Sequence, residues 1–210
     1  MNTNFFLSFI LMTGLTCFGQ NKTNTYLDVN MNIIDKDSFS IMDKSPKYIS
    51  LKYDADSTYL NVIFKRKISN KLSKEILNDL KEYLQNITGI KIDENSIILI
   101  NYLSKNPKIK DTVNTTKWNI FDRDYLKKIK KENNIFQVWI NHPDQKNLRY
   151  YQGNRINWIV DKTKFIENLF FPYDFLYGSF AVVNFDGRYI SFYGEYSKKK
   201  VVELLDELKQ

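Results

Sequence analysis

Cysteine is nearly absent from this sequence of 210 residues, occurring once, at Cys17. A chain whose mature part begins beyond that position has no thiolate nucleophile, no disulfide and no thiolate metal ligand, so thiol redox chemistry is excluded. Histidine also occurs once, at His142. One histidine cannot build a histidine-rich metal centre, and no nucleophile stands at a recognisable spacing from it. Glycine and proline are scarce, at 7 and 4. Gly153 and Gly178 are isolated, so no glycine-rich loop cradles a phosphate and no nucleotide or other cofactor is expected. No catalytic residue and no metal site is assigned. After residue 19 no stretch is apolar for long enough to cross a bilayer as a helix.

The chain does have an apolar, uncharged run from Phe5 to Leu15, followed by the small residue Gly19. That is the length of a signal-peptide core, and residues 1–19 are read as a signal peptide cut before Gln20. The mature chain is therefore expected in the periplasm or outside the cell, although the first few residues carry no lysine or arginine. Cys17 admits a rival reading as a lipid attachment site. Gly14, Leu15 and Thr16 fit that poorly, and Cys17 is expected to be discarded with the leader rather than to anchor the protein. What remains is one domain's worth of chain. Its net charge of +7 would raise nucleic acid as a partner in the cytosol. Export and a general richness in Lys, Asn and Ile argue against nucleic acid, and leave an envelope protein as the expected partner class.

Hydrophobic periodicity organises the rest. Tyr26 to Ile34 alternates, and Lys47–Tyr53 and Tyr59–Phe64 read as strands on either side of an Asp54-Ala55-Asp56-Ser57 turn. Ser73 caps a helix whose Ile76, Leu77, Leu80, Tyr83, Leu84 and Ile87 share one face, and Gly89 ends it. Ser96–Tyr102 (SIILINY) is apolar at consecutive positions, as in a strand buried on both faces. Ser104–Thr116 is a long polar loop, the kind that often carries function. A helix over Asp122–Asn133, a strand over Ile135–Ile140, a short strand over Leu148–Gln152 and a helix from Asp161 or Thr163 to Pro172 come next. Ser179–Phe185 and Arg188–Tyr193 flank Asp186-Gly187, a hairpin signal. Ser197 then caps a terminal helix with Val201, Leu204, Leu205 and Leu208 inward.

The order from Tyr59 onward resembles the thioredoxin-like fold, most closely over YGSFAVVNFDGRYISFYGEYSKKKVVELLDELK, with SIILINY in the place of its central strand. The resemblance implies an α/β three-layer sandwich, a mixed sheet with helices on both faces, over 59–210, preceded by an N-terminal extension of short strands over 20–58. It also implies two reactive positions, and this chain departs at both. Leu103-Ser104-Lys105-Asn106-Pro107 stands where active members carry cysteine, and Tyr177-Gly178-Ser179 stands where they carry a cis-proline. The expectation is a scaffold without redox activity, turned to non-catalytic binding.

Some residues then stand out as candidate ligand contacts. Tyr150, Tyr151 and Trp158 flank the polar turn Gln152-Gly153-Asn154-Arg155, and exposed aromatics beside amides suit recognition. Core packing is the plainer reading of the same residues. Gly178 and Ser179 complete the candidate binding set. A second aromatic group runs from Phe170 to Tyr177. Asp54 with Asp56 and Asp122 with Asp124 pair carboxylates within turns, which turn formation and capping explain without a metal. Lys198-Lys199-Lys200 starts a helix, where cations are disfavoured. The alternative to a binding protein is an envelope enzyme using carboxylates and His142 near the loop 104–116.

Overall fold

The computed structural model describes residues 22–105, 116–132 and 134–209. The expected leader with Cys17, and most of the loop 104–116, lie outside the described residues. In chain order the elements are β1 (Thr23–Leu27), β2 (Ile33–Ile34), α1 (Lys36–Asp43), β3 (Tyr48–Asp54), β4 (Thr58–Lys65), β5 (Lys67–Lys71), α2 (Lys74–Thr88) and β6 (Ile97–Leu103). A 3₁₀ turn at Asn119–Phe121 leads to α3 (Arg123–Lys131), β7 (Ile135–Asn141), β8 (Trp158–Val160), α4 (Phe165–Phe170), β9 (Ser179–Val183), β10 (Arg188–Phe192) and α5 (Lys198–Lys209).

The consecutive apolar run of β6 is buried at every position because β6 sits inside a six-stranded sheet of order β5-β10-β9-β6-β7-β8. It pairs parallel with β7 and antiparallel with β9. Its alternate side chains feed two cores, as a period of two demands. Ile97, Leu99 and Leu103 join Tyr125 and Ile129 of α3 and Val201, Leu204, Leu205 and Leu208 of α5. Ile98, Ile100 and Tyr102 join Leu77, Leu80 and Leu84 of α2 and Ile166 and Phe170 of α4. Helices thus cover both faces of a mixed sheet, and β6-α3-β7-α4-β9-β10-α5 is a thioredoxin-like α/β sandwich.

The local signals explain the helix ends. Ser73 Oγ accepts from the Ile76 amide at 3.2 Å, and Gly89 takes φ +69° at the end of α2. The hairpin turns through Phe185, Asp186 and Gly187, with the Asn184 amide donating to the Arg188 carbonyl at 2.9 Å and Gly187 at φ +89°. Two of the three lysines at the start of α5 have partners: Lys198 Nζ lies 2.9 Å from Asp122 and 3.0 Å from Asp124, and Lys200 Nζ lies 2.7 Å from Glu203. Those two aspartates therefore hold a lysine. Among the described residues no three metal-ligating side chains converge.

Two expectations are corrected. Tyr59–Phe64 does not open the main sheet. As part of β4 it pairs with β1 on one side and β3 on the other, inside a separate sheet of order β2-β1-β4-β3. The expected boundary at 58/59 therefore falls inside β4, after its first residue, within one sheet. The main sheet instead begins with the polar β5, and only Arg66 separates β5 from β4. Arg66 belongs to both sheets: its amide donates to the Lys47 carbonyl at 2.9 Å, and its own carbonyl accepts from the Tyr193 amide at 2.8 Å. The small sheet is bound to the rest by burial, since Val62 and Phe64 lie in the same core as α2 and α4. The second correction is Leu148–Gln152, which forms turns, not a strand. Gln152 has φ +59°, and a side chain on Gly153 would come within 2.7 Å of the Leu148 carbonyl.

Candidate functional site

Ser104 follows β6, where the thioredoxin-like pattern would place a thiol. Its hydroxyl donates to the Phe175 carbonyl at 2.5 Å, the Lys105 amide donates to Asp174 Oδ1 at 3.0 Å, and Gln145 Nε2 donates to the Ser104 carbonyl at 3.2 Å. The position is stitched to the segment 174–175. That segment continues into Tyr177 (φ +66°) and Gly178 (φ +91°), and a Cβ on Gly178 would stand 2.5 Å from the Tyr102 carbonyl and 3.3 Å from the Trp118 ring. Only glycine fits there. Ser179 is buried, and its hydroxyl accepts from the Gly194 amide at 3.3 Å.

The other sequence candidates serve packing. Tyr151 is 1% exposed. Burial pushes its phenol well above the ordinary tyrosine range. Its carbonyl accepts from Trp158 Nε1 at 2.9 Å, and Trp158 meets Trp139 edge-on at 5.3 Å. Tyr150 stands edge-on to Tyr151 at 5.0 Å, and its carbonyl accepts from the Thr116 amide at 2.8 Å. The turn around Gln152 is therefore a wall that holds residues 116–121 in place. Tyr151 and Trp118 share the core that Gly178 touches, while Tyr150 and Trp158 are half-buried against it.

Two further sites assemble from segments far apart in sequence. One is a closed polar cluster. His142, 3% exposed, follows β7 and points Nε2 at Glu167 Oε2 of α4 at 3.1 Å. Its Nδ1 accepts from the Asp144 amide at 2.9 Å, so the proton of the neutral ring sits on Nε2. Glu167 also accepts from the Tyr102 hydroxyl at 3.4 Å. Asp161, wholly buried, accepts from the Tyr83 hydroxyl at 2.5 Å and from the Glu167 amide at 3.0 Å. Burial first, and the Asp161 hydrogen bond second, push the Tyr83 phenol up to about 12. Burial raises the Tyr102 phenol further, with the Glu167 charge adding to it. The network ties α2, β6, β7 and α4 together and leaves His142 both nitrogens occupied.

The other site is an open groove. Two clefts of about 550 and 580 Å³ share Arg66 and Glu195. One runs between Ile49–Lys52 of β3 and Asp174–Tyr177. The other continues past Thr116–Asn119 and Tyr196–Ser197. Leu176 and Tyr177 are 52% and 44% exposed. Arg66 Nε is buried with no hydrogen-bond partner among the described residues. Burial draws the guanidinium below its usual value, against the pull of Glu195 and Asp43, yet an arginine stays charged at any physiological pH. No local motif announces Arg66, which sits within Lys65-Arg66-Lys67. The groove also needs the small sheet to be packed in place before it exists.

No protein-family model matches this chain, and no curated protein matches it. Among solved structures it is similar to a DsbF homologue from Corynebacterium diphtheriae, with a TM-score of 0.35 and 12% identity over 76% of this chain and 99% of that one. Both figures are too low to transfer chemistry or role, so the grounds for a function are the sheet order and the groove of this chain itself.

Proposed function

We propose that the chain is an exported, non-catalytic binding or accessory protein that holds an envelope partner in the groove around Arg66, Leu176 and Tyr177. The observation that carries the reading is the pairing of two exposed apolar side chains with a cation whose Nε has no partner, on ground where this fold elsewhere does thiol chemistry. An apolar anchor beside an arginine with a spare donor is the composition of an interface, and the sole cysteine at position 17 leaves the groove no thiol. Export rests on the Phe5–Leu15 run and Gly19. The test is crosslinked capture from the envelope fraction, using the chain from Gln20 and a Leu176→Ser/Tyr177→Ser double variant. The expected result is one dominant partner that the variant loses. Equal capture by both, or turnover of an envelope substrate by the purified chain, overturns the reading.

A second reading, an enzyme using His142 and carboxylates, draws on the pairing of His142 with Glu167, whose backbone amide Asp161 holds. Glu167 is its reachable member, with a side chain 24% exposed. Any hydrolytic activity of the purified chain that Glu167→Gln removes would favour it. In the binding reading that variant changes stability alone.

A further inference from the structure

The register of the small sheet fixes which way β3 turns its main chain. The Arg66 amide donates to the Lys47 carbonyl and the Ala55 amide to the Thr58 carbonyl, with Tyr48 to Asp54 paired to Lys65 to Tyr59 in between. In an antiparallel ladder alternate residues bond the neighbour, so residues 47, 49, 51, 53 and 55 face β4. Ser50 and Lys52 then turn both N–H and C=O away from it. β3 is an edge strand, and neither main-chain pair meets a partner among the described residues. The cleft beside β3 is lined by four consecutive residues, Ile49, Ser50, Leu51 and Lys52, which happens where a cavity opens on the edge of a strand rather than on one face.

The other long edge is guarded differently. β5 carries Lys67 and Lys71 at its two ends, a device that keeps strands from adding. β3 instead faces a wall, Asp174–Tyr177, across the cleft. Arg66 stands opposite Lys47 at the end of the cleft where β3 begins, with no ion pair among the described residues. Glu195, Asp174 and Lys52 line the same space, so a carboxylate is accepted at Arg66, where Glu195 is its competitor.

We infer that the edge of β3 takes an extended peptide strand from the partner, hydrogen-bonded to the main chain of Ser50 and Lys52, with one carboxylate on Arg66 and an apolar side chain against Leu176. Strand addition draws affinity from the main chain and specificity from alternate side chains, and the Ser50 to Lys52 repeat of roughly 6.8 Å sets the spacing. This rests on the groove being the binding site.

The probe is a set of ten-residue peptides alternating Val and Thr, with a single Asp walked through the positions, titrated by calorimetry against the chain from Gln20. The expected result is binding confined to one or two Asp positions. N-methylation of every second amide should weaken it at least tenfold in one register and leave it unchanged in the other. Arg66→Gln should erase the preference for the Asp position. Ser50→Pro, which removes an outward N–H and breaks no ladder bond, should weaken binding about tenfold while the melt stays cooperative. The N-methyl scan reads the same main-chain contacts without any protein variant. No binding by any peptide of the set, or binding indifferent to N-methylation in both registers, overturns the inference. Binding lost in Leu176→Ser yet kept in Ser50→Pro and under N-methylation also overturns it, while leaving the groove reading in place.

Discussion

Two polar regions sit close together at the end of the central strands, and they are finished in opposite ways. At His142 the ring itself is met: each imidazole nitrogen has a partner, and Asp161 accepts from both the Tyr83 hydroxyl and the Glu167 amide, while the neighbouring Asn141 Oδ1 is buried without a partner among the described residues. Around Arg66 polar groups are left over. Among the described residues the guanidinium Nε has no partner and the outer edge of β3 is unpaired, and Leu176 and Tyr177 are exposed. Buried polar groups left unmet are destabilising unless something else meets them, while a fully satisfied network rigidifies a fold. The closed cluster therefore reads as structure and the open groove as function, although a histidine beside two carboxylates looks more like chemistry at first sight.

The sharpest way to break that contrast is to damage the closed cluster. Asp161→Ala strands the Tyr83 hydroxyl and the Glu167 amide in the interior, and an unmet buried network of this kind costs about 3 kcal/mol. The melting temperature should fall by roughly 6–12 °C for a chain of this size, measured by calorimetry. A fall of under 2 °C would mean the cluster is not structural.

Gly178 lies where the two regions adjoin, against Tyr102 on one side and Tyr177 on the other. Gly178→Ala forces a side chain into a left-handed conformation and against the Tyr102 carbonyl, a strain of about 2 kcal/mol. Its melting temperature should drop accordingly, and partner capture should fall with it because Leu176 and Tyr177 shift too.

Alkaline titration reaches the cluster through Tyr83, alongside other buried phenols such as Tyr193. The Tyr83 phenol is raised to about 12 in the fold, above its ordinary 10, so the folded state favours the neutral form. That contribution is fully present below pH 10 and is lost as the pH climbs through 12. Stability should therefore decline between pH 10 and 12, and Tyr83→Phe should make the decline shallower. Denaturant midpoints across that range check it.

The smallest stability effect belongs to the groove. Leu176→Ser/Tyr177→Ser alters exposed side chains, whose substitution usually moves stability by less than about 0.5 kcal/mol.

Legibility in the sequence divides along the same line. Elements that carry their own signal were readable: the doubly buried β6, the capped α2, the hairpin around Asp186-Gly187, and α5. The thioredoxin-like order emerged from them. β5, with sequence KISNK, has no such signal, because an edge strand needs little burial. So β4 looked like the first strand of the main sheet, and nothing local told that Arg66 hands the chain from one sheet to the other. α1 carries little apolar periodicity, and its signal is the cap: Asp35 accepts from the Asp37 and Ser38 amides. Tyr150, Tyr151 and Trp158 were ambiguous because aromatics beside a polar turn look alike in a core and in a recognition surface. The groove has no sequence signature at all. It is assembled from β3, Arg66, the segment 174–177 and Glu195, and proximity of that kind is a product of folding.

The most direct test of the account is partner capture, at a temperature below both melts, by the groove variant Leu176→Ser/Tyr177→Ser and the cluster variant Asp161→Ala side by side. The cluster variant should still capture the partner, while the more stable groove variant should not. Capture by the groove variant with loss in the folded cluster variant would contradict it and move the functional site to His142 and Glu167.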